Sequence, residues 1–104
     1  MSDFNNELTD AEIERLAILA EEMGEAQQAI GKILRHGYES YNPDDSNGRT
    51  NRRELERELG DVVAAMELMT ITRDVNDASI DQFAVDKMLK ILKYSHHQSP
   101  VTNH

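Results

Sequence analysis

Two short segments, ELGD at residues 58–61 and EMGE at residues 22–25, carry the features that decide both the fold and the function of this chain. Each segment places two carboxylates three residues apart around a glycine, inside a stretch with the apolar spacing of a helix. A glycine inside a helix costs about 1 kcal/mol relative to alanine. Carboxylates are also unfavourable on a face that packs against another helix. Two such segments in one short chain indicate that the acids have a function.

The spacing of the apolar residues predicts three helices and no strand. The first helix is expected from residue 10 to about residue 35, with Thr9 in a capping box and Gly37 beyond its end. The second is expected from about residue 52 to residue 73, and the third from residue 77 or 79 to about residue 94. Between the first two helices lies a polar segment, 36–51, whose length is unusual for such a connection and is typical of a functional loop.

A wide apolar stripe on the first helix predicts more burial than one short chain can provide. Its members are Leu16, Leu19, Ala20, Met23, Ala26, Ile30, Ile33 and Leu34. We therefore expect an all-α fold in a single domain, residues 1–104, that forms a small bundle of about three main helices. Its ordered core should span residues 9–94, with a disordered tail at 95–104, and a homodimer or homotetramer should complete it.

The net charge of −9 argues against nucleic acid and membrane surfaces as partners, because both would need a basic patch. A divalent cation is the simplest partner for such a chain. Since there is no cysteine, disulfides and thiolate metal sites are excluded. No signal peptide is visible at the N-terminus and no apolar run is long enough to span a bilayer, so a cytoplasmic protein is expected.

If the first two helices pack antiparallel through their apolar faces, Glu22, Glu25, Glu58 and Asp61 converge. Four unpaired anions cannot share a partly buried site unless protons or cations neutralise them. Ligands that offer only oxygen favour Mg²⁺, with Mn²⁺ as a possible substitute, over zinc.

The glycines and the other charged residues of these helices have simpler interpretations. Gly24 and Gly60 would let the helix backbones approach closely, or leave room for metal and ligand. Charged residues on a helix usually form a solvated face. We assign several residues of the second helix to such a face: Arg52, Arg53, Glu54, Glu56 and Arg57.

The pattern EEMGE at 21–25 followed by ELGD at 58–61 resembles the MazG-like family of all-α nucleoside triphosphate pyrophosphohydrolases. The related dimeric dUTPases and dCTP pyrophosphatases share the same two acidic pairs. The segment VDKMLK at 85–90 is similar to a third motif of that family. The resemblance covers roughly residues 10–94, and the short chain is most similar to phage-encoded or small bacterial members, which would act in the host or bacterial cytoplasm. It departs from the family at Val85, where asparagine is expected, and in the 32 residues between Glu25 and Glu58.

The resemblance implies Mg²⁺-dependent hydrolysis of a nucleoside triphosphate to the monophosphate and pyrophosphate, with Glu22, Glu25, Glu58 and Asp61 as metal ligands. Glu21 would be a general base or would orient the site. Lys87 would contact phosphate. The remaining candidates for substrate binding are Lys90, Arg53 and Asp86, with His36, Tyr38 and Tyr41 as candidates for contact with the base.

Two other functions fit the same residues. One is a non-catalytic acidic helical dimer that acts as a regulatory or interaction protein. The other is a module that binds metal without turnover. The first predicts no metal dependence, and the second predicts metal binding without release of pyrophosphate.

Overall fold

The computed structural model describes residues 5–44 and 47–98, which form three α-helices: α1 (Asp10–His36), α2 (Asn51–Ile71) and α3 (Asp77–Tyr94). No strand occurs within these ranges. The predicted all-α fold is therefore confirmed. Residues 99–104 of the predicted disordered tail lie outside the described residues.

Side-chain caps fix where the helices begin. The Thr9 side chain accepts a hydrogen bond from the backbone N–H of Glu12, whose carboxylate accepts from the Thr9 backbone, so the predicted capping box is present. Thr50 caps α2 and Asn76 caps α3 in the same manner. At the end of α1, Gly37 adopts a positive φ of 89°, a conformation that favours glycine, and so ends the helix where the sequence predicts.

α1 and α2 form an antiparallel pair. At one end the Asn51 side chain donates to the Gly37 carbonyl at 3.1 Å. At the other end Arg15 donates two hydrogen bonds, at 2.5 and 3.0 Å, to the carboxylate of Asp74, which follows α2. Both of these charged side chains are largely shielded from water. A bidentate ion pair of this kind adds geometric specificity, and it therefore fixes the register of the two helices.

The seam between α1 and α2 is narrow. Four apolar residues are buried in it: Ala26, Ala29, Ala65 and Met69. The residues of α1 that are not exposed include a series that alternates in steps of four and three along the helix, namely Arg15, Leu19, Glu22, Ala26, Ala29 and Ile33. This is the spacing of a helix that packs against one neighbour.

The predicted apolar stripe of α1 is not buried as one surface. Leu16, Met23 and Ile30 remain 43–48% exposed and Leu34 remains 82% exposed. The reason is geometric, because a single partner helix covers only a narrow face and α2 occupies the neighbouring line of positions. The stripe therefore consists of a part that contacts α2 and a part that faces away from it.

α3 packs against neither of the other helices to any comparable extent. None of its residues is buried, and its apolar side chains are open to water, with Phe83 73% exposed and Leu89 64% exposed. The Cα radius of gyration of 17.9 Å exceeds the value of about 13 Å typical of a compact domain of this size. Within the described ranges, none of the helices has the length and apolar character that crossing a bilayer requires.

We expect the free protein to be a dimer or larger, because the exposed apolar side chains of α1 and α3 gain from burial against a second copy. Light scattering should report at least twice the chain mass at micromolar concentration. Phe83→Glu should weaken this association, since it places a charge on the exposed apolar part of α3. Ala78→Glu adds the same charge at another exposed position of α3 and should leave the association unchanged. A stable monomer for the unchanged protein would contradict the expectation.

Candidate metal centre

Four carboxylates converge on the seam between α1 and α2, and we call Glu22, Glu25, Glu58 and Asp61 the acid cluster. Each offers an oxygen that lies within 4.8 Å of the oxygens of the others. The antiparallel register brings them together, since the two pairs lie on the faces that the helices turn toward each other. The convergence expected from the sequence is therefore observed.

Two of these acids occupy positions where a helix pair usually buries apolar side chains. Glu58 is only 7% exposed, and it is the one buried charged residue in the part of the chain that the structure describes. One carboxylate oxygen of Glu22 and one of Glu58 are shielded from solvent and have no hydrogen-bond partner. Buried polar atoms are normally paired, so these oxygens mark a place where a cation or proton is needed.

The pKa values of Glu22 and Glu58 reflect this shortage of partners. Burial raises the pKa of Glu22 above its ordinary value, and the negative charges of Asp61, Glu21 and Glu58 raise it further. Burial is also the main cause that raises the pKa of Glu58. The nearby charge of Arg57 partly opposes that shift, whereas Glu25 and Asp61 reinforce it.

Arg57 supplies a cation to the acid cluster. Its guanidinium lies 2.5 Å from the carboxylate of Glu58, 3.2 Å from that of Glu54 and 3.6 Å from that of Asp61. The side chain of Arg57 is 47% exposed, as its assignment to a solvated face predicts, but it also pairs with the acid cluster. Glu54 also contacts Arg49, and its side chain is only 25% exposed. Because Arg57 lies one residue before Glu58 and four before Asp61, its helical spacing was the signal in the sequence that could have identified this role.

The acid cluster fits a hard divalent cation. Its ligand atoms are all carboxylate oxygens, two of which are buried without a partner. Arg57 brings one positive charge to four carboxylates, so a strong excess of negative charge remains when all four are ionised. Oxygen-only ligand sets of this kind suit Mg²⁺ or Mn²⁺.

The glycines beside the acids do not permit close helix packing within this chain. A Cβ atom at Gly24 or Gly60 would meet no other atom within 4 Å. The expectation that they bring the helix backbones together is therefore wrong for the single chain. The reason is that both lie beside the seam, and the small residues that form its centre are Ala26, Ala29 and Ala65. The alternative role, in which they leave room for a ligand, stays a prediction.

The remaining catalytic and phosphate-binding candidates do not join the acid cluster within the single chain. Glu21 is exposed next to Glu22, and Arg53 is exposed and pairs with Glu56 at 3.3 Å. Lys87, Lys90 and Asp86 are exposed on α3, the helix that packs least. In the described residues, the recorded polar partner of Asp86 is Gln82, at 3.1 Å on the same helix.

The candidates for contact with a base lie at the connection between α1 and α2. His36 and Tyr41 line a cavity of about 430 Å³, which we call the connection pocket. Tyr38 is not part of its lining, and one face of its ring is occupied by the guanidinium of Arg52 at 4.2 Å. The structure therefore separates the three aromatic candidates into two that line a pocket and one that packs against a neighbouring side chain.

A second cavity, of about 290 Å³, lies beside the acid cluster and shares lining residues with the connection pocket, and we call it the cluster cleft. Glu25 and Glu58 line one part of it, and Lys32 lines both this cleft and the connection pocket. The sequence analysis did not select Lys32. Its position seven residues after Glu25, two helical turns along the same face, was the available signal.

Comparison of the chain with protein-family models, with curated proteins and with solved structures gives no match. The resemblance to the MazG-like family therefore rests on the motif residues themselves.

The raised pKa values of Glu22 and Glu58 predict an unusual pH dependence for the metal-free protein. A carboxyl group with a raised folded pKa binds its proton more tightly in the folded state. Stability should therefore decrease as the pH rises from about 4.5, the ordinary value, through the folded pKa of these groups, and should be constant above it. Glu54 and Asp74 have lowered pKa values, and their contribution is lost only as the pH falls below their ordinary values.

Urea unfolding in the presence of a chelator, measured between pH 4.5 and pH 8, checks this prediction. The double variant Glu22→Gln with Glu58→Gln should show a much weaker decrease. Added Mg²⁺ should raise the stability of the unchanged protein at neutral pH, by about 2.7 kcal/mol at a hundredfold excess over its dissociation constant. A metal-free protein that becomes more stable across this range would contradict the account of the cluster.

The contacts of Arg57 predict competition with a bound metal. Arg57→Gln should lower the dissociation constant for Mn²⁺ about three- to tenfold, because the guanidinium and the ion attract the same carboxylates. The metal-free variant should be less stable than the parent, since its acid cluster loses a cation. Titration calorimetry measures the affinity. Arg53→Gln removes an exposed charge from the same helix and serves as the control. Weaker Mn²⁺ binding in Arg57→Gln would mean that Arg57 orients the ligands instead of competing with the ion.

Proposed function

We propose that this protein is a Mg²⁺-dependent nucleoside triphosphate pyrophosphohydrolase of the MazG-like type. It would cleave a ribo- or deoxynucleoside triphosphate to the monophosphate and pyrophosphate, with Mn²⁺ as a possible substitute for Mg²⁺. The observation that carries the proposal is the acid cluster, in which the buried oxygens of Glu22 and Glu58 lack partners. Carboxylates without partners in the seam between two helices lower the stability of the fold. Their presence there therefore indicates a function.

The four carboxylates of the acid cluster would hold the metal. The chemistry that Mg²⁺ supplies in such a site is neutralisation of phosphate oxygens and activation of a water molecule. Glu21 is adjacent to the cluster and open to solvent, so it can accept a proton from water at the edge of the site. Arg57 holds Glu58 and Asp61 in place through its ion pairs in the metal-free protein.

The candidate phosphate contacts on α3 need this helix to pack against another surface before they can have a fixed position. Lys87 and Lys90 belong to a helix whose apolar side chains are exposed in the single chain. Burial of those side chains in a homodimer or homotetramer would give α3 a fixed position, from which the lysines could contact the phosphates. The proposed enzyme would act on the free nucleotide pool of the cytoplasm, either to control it or to remove unwanted nucleotides.

A regulatory or interaction protein that dimerises through the same apolar faces is the alternative. The exposed side chains of α1 and α3 favour it, because they suit association with any partner. This alternative gives no role to the two buried oxygens of Glu22 and Glu58 that lack partners. A panel of nucleoside triphosphates, assayed for pyrophosphate and monophosphate with Mg²⁺ and with a chelator, separates the two functions. Turnover that needs the metal supports the hydrolase, and its absence for every nucleotide favours the alternative.

Asp61→Asn tests whether the acid cluster carries the activity. The change keeps the size of the side chain and removes one negative charge from a crowded site, so the metal-free fold should be at least as stable. Turnover at saturating nucleotide and Mg²⁺ should fall by roughly 100-fold or more, beyond the 10–100-fold loss typical of residues that only orient ligands. Pyrophosphate released per enzyme is the measurement.

Glu56→Gln is the matched control, since Glu56 is exposed on the same helix and pairs with Arg53. Its activity should equal that of the parent. If Asp61→Asn turns over as fast as Glu56→Gln, Asp61 is not a ligand and the proposed site is wrong.

A further inference from the structure

The cluster cleft and the connection pocket lie next to each other along the faces that α1 and α2 turn toward each other, and we call them together the groove. Its positions repeat in steps of three and four residues on both helices, so each set lies along one face. On α1 they are Glu22, Glu25, Ala29, Lys32 and His36, and on α2, in the opposite direction, they are Asp61, Glu58, Glu54 and Asn51. The two cavities share Lys32, Asn51 and Glu54 in their linings, so they adjoin each other.

The middle of this groove is open because Ala29 has a short side chain. Ala29 is buried and lines the cluster cleft between Glu25 and Lys32. The distance along the helix axis from Glu25 to Lys32 is about 10 Å, since each residue adds 1.5 Å. A ligand held at one part of the groove by a metal can therefore extend past Ala29 toward Lys32.

Lys32 and Arg35 are cations at the far part of the groove. Neither makes a hydrogen bond or ion pair with another described residue, although both line the connection pocket. Arg49, by contrast, is paired with Glu54. The charge of the groove thus changes along its length, from an excess of carboxylates at the acid cluster to an excess of cations at the connection.

An anion at the connection would be bound by side chains, because the backbone N–H groups at the start of α2 already have acceptors. The first two N–H groups of α2 are already used, because Asn51 donates to the Ser40 carbonyl and Arg52 donates to the Tyr38 carbonyl, each at 2.8 Å. These bonds hold the connection against the start of α2. Among the described residues, Lys32 is the cationic side chain that lines both cavities.

We infer that the groove binds the nucleotide substrate along its length, with Lys32 as the phosphate contact of this chain and the connection pocket as the site of the nucleoside. This rests on the proposed function, since the acid cluster has to hold the metal that binds the phosphates. In the pocket, Tyr41 offers a ring on which a base can stack, and His36 and Asn42 offer hydrogen-bonding groups. A volume of about 430 Å³ lies within the range typical of sites for small ligands.

Binding of non-hydrolysable ligands tests this inference without turnover. The probes are inorganic triphosphate and the α,β-methylene analogues of the four deoxynucleoside triphosphates, each with Mg²⁺ and measured by calorimetry. Lys32→Gln should raise the dissociation constants of both kinds of probe about tenfold, as expected for loss of a charge-assisted hydrogen bond. Tyr41→Leu should weaken binding of the nucleotide analogues and leave inorganic triphosphate unchanged. Both residues are exposed, so both variants should keep the fold.

Lys93→Gln, which removes an exposed lysine from α3, is the control and should bind like the parent. If nucleotides are hydrolysed but Lys32→Gln binds the probes as tightly as Lys93→Gln, the inferred binding site in the groove is wrong and the proposed function stands. If no nucleotide is hydrolysed but binding of the probes depends on Lys32, the inferred binding site stands and the proposed hydrolase activity is wrong. Failure of the unchanged protein to bind any of the probes overturns the inference.

Discussion

The mutual repulsion of four carboxylates in the seam between α1 and α2 is the constraint on which the rest of this structure depends. The seam holds the two helices together, yet it buries only four apolar residues and places Glu58 among them. Apolar burial favours contact between the helices and the ionised acids oppose it. The two helices can bury their apolar residues and tolerate the acids only when protons, Arg57 or a metal reduce the negative charge of the acid cluster. The stability of the helix pair therefore depends on the charge of the acid cluster.

Several other features follow from this weak seam. The Arg15–Asp74 pair joins α1 to the segment after α2, and the hydrogen bonds of Asn51 and Arg52 hold the connection at the opposite end. These contacts fix the register from both sides of the acid cluster, so the carboxylates face one another although they repel. The apolar side chains that the seam leaves exposed, on α1 and on all of α3, are available for a second copy.

The sequence predicted the parts of this protein that depend on local interactions. The capping residue Thr9 and the terminating Gly37 gave the bounds of α1 to within two residues, because each acts on the backbone beside it. The convergence of the acid cluster was also predictable, since it requires only two acidic pairs of helical spacing and an antiparallel arrangement.

The features that sequence analysis missed depend on which line of side chains faces the partner helix. The apolar stripe of α1 was too broad to identify the narrow seam, so the exposure of Met23 and Leu34 was not predicted. The spacing of Lys32 from Glu25 gives the face of α1 on which it lies, but its place in the lining of both cavities depends on the register of α1 against α2 and on the path of the connection. Charge alone suggested a solvated face for Arg57, and its spacing on α2, which also places it beside Glu58 and Asp61, was not considered.

Binding of Mn²⁺, followed by electron paramagnetic resonance of the free ion, tests the central claim most directly, because it reports occupancy without any substrate. The account predicts saturable binding by the intact protein, displacement of Mn²⁺ by Mg²⁺, and loss of this binding in Glu58→Gln, which should retain the helices because it removes a buried charge. Binding that does not saturate, or saturable binding that Glu58→Gln leaves unchanged, would contradict the claim that the acid cluster is a metal centre.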